Sequence, residues 1–170
     1  MTVNRAAHPT PPNTASPTTK ATETGIVNNI AKIMGTDIWV HVEYRDRRKK
    51  RYKHTSVDIG PYRPYLLFDI LGGGRGNRNP LYYPRGLPGD VTNETYTEYK
   101  DGGPELFHHA SWLETQEYRE CLDTYYEIVG ESDEGSAFED MKKNLELIYR
   151  YMKDSDDEGE PARLVFWFDN

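Results

Sequence analysis

The sequence predicts an α+β fold, with a small, mainly antiparallel sheet and helices packed on one of its faces. Three observations support this fold class. Apolar and polar residues alternate through 37–45, two later segments carry apolar residues at helical spacing, and the chain closes on a strongly hydrophobic run. We expect the strands at 37–45, 51–59 and 163–169, with the last one in a central position because it is hydrophobic on both faces.

The first predicted strand has one apolar face and one polar face. Its apolar side chains alternate with an indole and three ionisable groups, so successive residues point to opposite sides of the sheet. The apolar face suits a core, and the other face is where a binding site is expected. The polar positions are Asp37, Trp39, His41 and Glu43.

A basic segment follows this strand. Residues 45–51 carry six positive charges in seven positions. A solvated hairpin turn leading into the strand at 51–59 is favoured over a phosphate or nucleic-acid patch, because the neighbouring segments are acidic and few aromatic residues are interleaved.

Helical patterns occupy much of the remaining chain. A helix is expected from Pro64 to the glycines at 72–74, and a long glycine-rich loop at 72–105 of a kind that is more often functional than neutral. Ser111 and Glu114 form a capping-box pattern before an amphipathic stretch that ends at Gly130. After a turn at 131–135, a second capping-box pattern predicts another helix from residue 136.

Composition narrows the class of protein. The formal net charge is −7, which makes a nucleic-acid partner unlikely, and the absence of a long apolar run argues against a membrane partner. The single cysteine, Cys121, excludes an intramolecular disulfide framework and is expected in the core. We expect residues 1–33 to be a disordered or weakly ordered extension, with a short helix at 25–33 as the alternative. Residues 34–170 are expected to be a single domain, located in the cytoplasm (of the host cell if the protein is viral).

Several segments resemble an uncharacterised protein family of phages and bacteria. Members of that family open with a Met-Gly-Cys-Asp-Ile-His run and continue with a PRGLPxDV loop, a His-Ser-His-Ser-Trp-Leu segment and a terminal FWFDN-like strand. The resemblance covers residues 34–170 and implies a small phage-related protein, without implying an activity. The matching segments here are MGTDIWVHVEYR, YLLFDILGGGRGNRNPLYYPRGLPGDV, HHASWL and RLVFWFDN. Thr36, Trp39 and Ala110 stand where the family has cysteine, histidine and histidine, so a metal site built on those positions would lack its ligands.

The first and last strands are expected to pair. An antiparallel register that opposes Glu43 to Arg163 creates a cross-strand ion pair and also opposes Trp39 to Trp167. The carboxylates at 37 and 169 then lie together, with an arginine from the glycine-rich loop as their expected partner. Because arginine forks suit phosphate and aromatic faces suit flat ligands, this region predicts a ligand site. Its expected residues are Asp37, Trp39, His41, Arg75, Arg85, Trp167 and Asp169.

We therefore expect a small-ligand-binding protein, with a nucleotide or another phosphorylated compound as one ligand class. The first alternative is a metal-dependent enzyme that uses Asp37 and a divalent ion held by His41, Asp90 and His108. The second is a phage-type inhibitor that contacts a host protein. No recognisable nucleophile–base pair, phosphate-binding loop or paired-cysteine motif is present, so the identity of any cofactor stays open.

Overall fold

The computed structural model describes residues 35–103, 105–130 and 136–169, and it has the predicted α+β architecture. Four helices accompany a four-stranded antiparallel sheet in this part of the chain. None of these helices is both long and apolar enough to cross a membrane. The strands are β1 (Asp37–Arg45), β2 (Tyr52–Val57), β3 (Phe107–Glu114) and β4 (Ala162–Asp169), and the helices are α1 (Tyr65–Gly72), α2 (Asn93–Asp101), α3 (Thr115–Val129) and α4 (Ser136–Asp157).

The sheet confirms the predicted pairing of the first and last strands. The strand order is β2-β1-β4-β3, so β4 is central, as its hydrophobic character on both faces indicated. The register opposes Glu43 to Arg163 and Trp39 to Trp167, as predicted. The extension predicted at residues 1–33 and the turn predicted at 131–135 lie outside the described residues.

One face of the sheet carries the hydrophobic core. Alternate residues of β1 and β4 point to this face, and α1, α3 and α4 cover it. Cys121 of α3 is fully buried here, and burial raises the pKa of its thiol to about 12. The core includes Val40, Val42, Leu164, Phe166 and Phe168 from the sheet, Leu67 and Phe68 from α1, Leu122 from α3, and Leu145 and Met152 from α4.

The basic segment is a hairpin turn between β1 and β2, as predicted. Asp46 organises it: one of its carboxylate oxygens accepts bonds from the backbone amides of Arg48 and Lys49, at 2.8 and 2.9 Å. The other oxygen lies 2.7 Å from the ammonium group of Lys53. The cationic side chains at 47–51 are exposed to solvent.

The prediction that a helix begins at Ser111 is wrong, because residues 111–114 belong to β3. The second edge of β4 needs a partner for its backbone groups, and β3 supplies one by pairing along Phe107–Glu114. Helix α3 begins at Thr115 instead. Its capping box is formed by Glu114 and Glu117, whose carboxylate accepts a bond from the Glu114 amide at 3.0 Å.

The segment 72–105, predicted to be a loop throughout, contains helix α2. Thr92 caps this helix, because its side-chain oxygen accepts a bond from the Thr95 amide at 3.3 Å. The helix lies over the sheet face opposite the core, where the ring of Tyr99 contacts Trp167 edge-on at 5.2 Å. The polar face of β1 is therefore covered in its middle and open at its end.

Candidate functional site

A cleft lies beside the first residues of β1. The β1–β2 ladder begins at Val40 paired with Val57, so among the described residues the backbone of 37–39 pairs with β4 and not with β2. After Val57 the chain turns away through residues 58–63 and encloses a space of about 630 Å³. We call this space the edge cleft, and its lining includes Trp39, His41 and Glu98.

Three potential metal ligands meet at the inner end of this cleft, and two of them, His41 and Glu98, line it. His41 on β1, His54 on β2 and Glu98 on α2 each place one ligand atom within 4.8 Å of the other two. Nδ1 of His41 lies 2.9 Å from Nε2 of His54, and Nε2 of His41 lies 3.9 Å from a carboxylate oxygen of Glu98. We call these three residues the histidine cluster.

His41 is the buried centre of the cluster. Its side chain is 1% exposed, and its ring stacks on Trp167 at 4.8 Å. Burial, together with the neighbouring His54, lowers the pKa of His41 to about 4, although Glu43 acts in the opposite direction. The imidazole is thus neutral at physiological pH, which is the form that coordinates metal ions. Nε2 of His41 has no hydrogen-bond partner among the described residues.

The outer end of the cleft is organised by two aspartates at the end of the sheet. Arg63 forms two contacts with the Asp37 carboxylate, at 2.5 and 2.7 Å. Asp169 accepts a bond from the Asp37 amide at 3.2 Å and one from the indole N–H of Trp39 at 3.1 Å. The arginine that binds these carboxylates therefore precedes α1, and the prediction that it comes from the glycine-rich loop is wrong.

A second buried polar group lies next to the histidine cluster on the same sheet face. Glu43 receives two bonds from the Arg163 guanidinium, at 2.9 and 2.6 Å, and two from the amide and hydroxyl of Thr92, at 2.9 and 2.7 Å. Arg163 also contacts Asp90 at 2.6 Å and lies over the Tyr52 ring at 3.7 Å. Through its hydrogen bond, Arg163 lowers the pKa of Asp90. We call Glu43, Asp90, Thr92 and Arg163 the arginine cluster.

Four of the seven predicted ligand-binding residues line the edge cleft: Asp37, Trp39, His41 and Asp169. Trp167 is fully buried behind them and stacks on Trp39 at 6.4 Å.

The two arginines predicted for the site do not line the cleft. Arg85 is held by two contacts with Glu117, at 2.5 and 2.8 Å, and its guanidinium stacks on Trp112. Arg75 contacts the Thr36 hydroxyl at 3.2 Å and lies over the Tyr65 ring.

Two of the three predicted metal ligands are not brought to His41. Asp90 is engaged by Arg163 in the arginine cluster. His108 pairs with Phe168 in the β3–β4 ladder and stacks on its ring, which places it on the core face of the sheet, opposite to His41.

Sequence reasoning missed His54, Glu98 and Arg63. A weak signal existed for His54, because it alternates in phase with Ser56 on the return strand and Ser56 pairs with His41. Glu98 belongs to a helix whose only buried residue is Thr95, so its segment has no apolar periodicity to reveal it.

No protein-family model, curated protein or solved structure matches this chain. The resemblance to the phage and bacterial family therefore stays a prediction.

Proposed function

We propose that this protein binds a divalent metal ion, with zinc as the best match, at His41, His54 and Glu98. The ion then forms the inner end of a small-ligand site in the edge cleft. The observation that carries this proposal is the convergence of three ligand atoms within 4.8 Å around a buried, neutral imidazole.

The donor set supports zinc. Two imidazole nitrogens and one carboxylate oxygen are ligands that zinc prefers, and three protein ligands leave a fourth position for water or a bound molecule. Tetrahedral zinc with ordinary bond lengths places its ligand atoms about 3.3 Å apart. The three candidate ligand atoms lie within 4.8 Å of one another, and Nε2 of His41 lies 3.9 Å from the Glu98 carboxylate, so a small approach brings them to that separation. Glu98 is 36% exposed, so its side chain is free to adjust.

The expected small ligand fits the same place. The cleft is lined by the aromatic side chains of Trp39 and Tyr62 and by charged groups, a mixture found in ligand pockets. The expectation of a phosphorylated ligand depended on Arg75 and Arg85, and both interact elsewhere. Support for a small ligand therefore comes from the cleft and its metal ligands.

Zinc titration of the full chain after chelation tests the metal site. We expect calorimetry to give one zinc per chain and His41→Gln and Glu98→Gln to weaken binding by about 10- to 100-fold or more, since each loses a ligand. The matched control is Glu94→Gln, which makes the same change of charge at an exposed position of α2. Failure of the wild-type chain to bind zinc, or unchanged affinity in Glu98→Gln, contradicts the proposal.

A metal-dependent enzyme is the second candidate. A three-ligand ion with an open position beside a cleft is the arrangement of catalytic zinc sites, in which the ion activates water. Its test is the hydrolysis of chromogenic ester and phosphate-ester substrates by the zinc-loaded chain. Activity that disappears in Glu98→Gln but persists in Glu94→Gln supports an enzyme, and equal activity in both variants counts against it.

A further inference from the structure

We propose that the edge cleft binds a small organic ammonium compound. Its cationic group lies against the carboxylates of Asp58 and Asp169, and an oxygen or nitrogen donor of the same molecule reaches the metal ion. This inference rests on the proposed metal site and assigns a ligand class to it.

The charge of the cleft is the first support. Four carboxylates line it, against a single guanidinium, and that guanidinium is already bound to Asp37 through two contacts. Within residues 35–103, 105–130 and 136–169, no lysine or arginine forms an ion pair with Asp58, Glu98 or Asp169. A divalent ion would offset part of this charge, and an ammonium group would offset the rest.

The exposed ring of Trp39 is the second support. Trp39 is 38% exposed in the cleft, and its indole N–H donates to Asp169, so the ring and the carboxylate are held together. An indole face attracts ammonium groups through its quadrupole. A carboxylate beside an exposed indole is therefore a suitable place for a cation.

The inner end of the cleft supplies an independent sign of a ligand. His41 is almost fully buried and lines the cleft, yet its Nε2 has no hydrogen-bond partner among the described residues. Buried polar atoms are nearly always paired in folded proteins. A metal ion that also holds a ligand donor satisfies this nitrogen and fixes which end of the ligand points inward.

The charge also argues against a phosphate-bearing ligand. A phosphate group in this cleft would face Asp58, Glu98 and Asp169, and the described lining residues offer no cation other than Arg63, which is bound to Asp37. Like charges at close range are unfavourable where solvent screening is reduced.

Calorimetric titration of the zinc-loaded full chain with three probes tests the ligand class. The probes are lysinamide, hexanamide as its uncharged analogue with the same carbon chain, and inorganic phosphate. We expect lysinamide to bind about tenfold or more tightly than either of the others, because hydrogen bonds to charged groups are stronger than neutral ones. Tighter binding of phosphate or hexanamide overturns the inference.

Two variants locate the cation. Asp58→Asn and Asp169→Asn are expected to weaken lysinamide binding about fivefold or more while leaving zinc affinity within about twofold, because they remove charge at residues outside the proposed metal ligands. Asp58→Asn keeps the acceptor of the Gly60 amide, whereas Asp169→Asn loses one of the two oxygens that accept from Asp37 and Trp39. The matched control is Asp140→Asn, an exposed change on α4 that does not line the cleft and is expected to have no effect. If Asp169→Asn fails to fold, Asp58→Asn alone tests where the cation binds. This variant is expected to fold, because Asp58 is exposed and an asparagine oxygen can accept the same hydrogen bond from the Gly60 amide.

The zinc titration separates the two possible failures. A chain that binds no zinc overturns both the metal site and this inference. A chain that binds zinc but prefers phosphate, or whose lysinamide affinity is unchanged in both aspartate variants, overturns only the ligand class.

Discussion

Two buried polar groups on the same strand differ in how completely they are paired. His41 and Glu43 lie two residues apart on the polar face of β1, with exposures of 1% and 0%. Both oxygens of Glu43 accept hydrogen bonds, from Thr92 and from Arg163. His41 has one nitrogen bonded to His54, whereas the other has no hydrogen-bond partner among the described residues.

This difference distinguishes a buried group with a structural role, Glu43, from one that is suited to bind a ligand, His41. A buried charge with complete hydrogen bonding is compatible with a purely structural role, since its desolvation is offset. A buried imidazole with one unpaired nitrogen, a lowered pKa and a cleft beside it lacks that compensation, and such groups concentrate at functional sites. We therefore assign the arginine cluster to stability and the histidine cluster to binding, and each of the following predictions tests that division.

The largest effect is expected from Glu43→Ala. It leaves the Arg163 guanidinium buried without its main partner, and breaking a buried ion pair typically costs about 3–5 kcal/mol of unfolding free energy. Urea denaturation measures the loss. Glu94→Ala, at an exposed position of α2, is the control and is expected to change stability by less than about 0.5 kcal/mol. A cost for Glu43→Ala below about 1 kcal/mol would remove the structural role assigned to the arginine cluster.

The next effect is the pH dependence of the metal-free protein. His41 in the folded state has a pKa of about 4, so it stays neutral while an unfolded histidine takes up a proton near pH 6.5. Stability is therefore complete above pH 6.5 and is lost as the pH falls towards 4, by up to about 3 kcal/mol.

Urea denaturation at pH 7 and pH 5 in the presence of a chelator measures this loss. His41→Gln should lose less stability than the wild-type chain between these two pH values, because it lacks the buried imidazole. An equal loss in both proteins would show that acidification acts through other groups.

Zinc should stabilise the chain through the histidine cluster alone. At a free concentration 100 times the dissociation constant, binding raises the free energy of unfolding by about 2.7 kcal/mol. Thermal denaturation with and without zinc should show this shift in the wild-type chain and lose it in Glu98→Gln. Glu43→Gln, if folded, should keep it, and its loss there would mean that the two clusters cannot be separated.

The Glu43–Arg163 pair of the arginine cluster was predicted from the sequence, whereas Asp90 was expected as a metal ligand and Thr92 was not identified. Of the histidine cluster, only His41 was predicted as a site residue. Because a shift of one residue would send β4 side chains to the wrong face, complementarity between Glu43 and Arg163 was enough to fix the β1–β4 register. The hairpin register that brings His54 beside His41 depends on the geometry of the turn at 46–51.

Two errors in the predicted secondary structure, the helix start at Ser111 and the loop at 72–105, have the same physical cause. In both segments, tertiary contacts outweighed the local sequence pattern. Ser111 and Glu114 match a capping box, but both residues pair with the edge of β4 as part of β3. Helix α2 has almost no apolar stripe, and contacts of Thr92 with Glu43 and of Tyr99 with Trp167 hold it over the sheet. Glu98 belongs to that helix, so the third residue of the proposed metal site was not identifiable from the sequence alone.

The smallest effect is expected where the two clusters are linked. Thr92 donates its hydroxyl proton to Glu43 and caps α2, the helix that carries Glu98. Thr92→Ala should cost about 1 kcal/mol, as for other lost helix caps, and should weaken zinc binding about threefold, because the helix start keeps only the amide bond of its two bonds to Glu43.

Calorimetry and urea denaturation measure both changes, with Thr92→Ser as the control because it keeps the hydroxyl. If Thr92→Ala lowers stability and leaves zinc affinity unchanged, the position of Glu98 does not depend on the arginine cluster. If both quantities fall together and Thr92→Ser restores both, the structural cluster also positions the binding cluster through the first turn of α2.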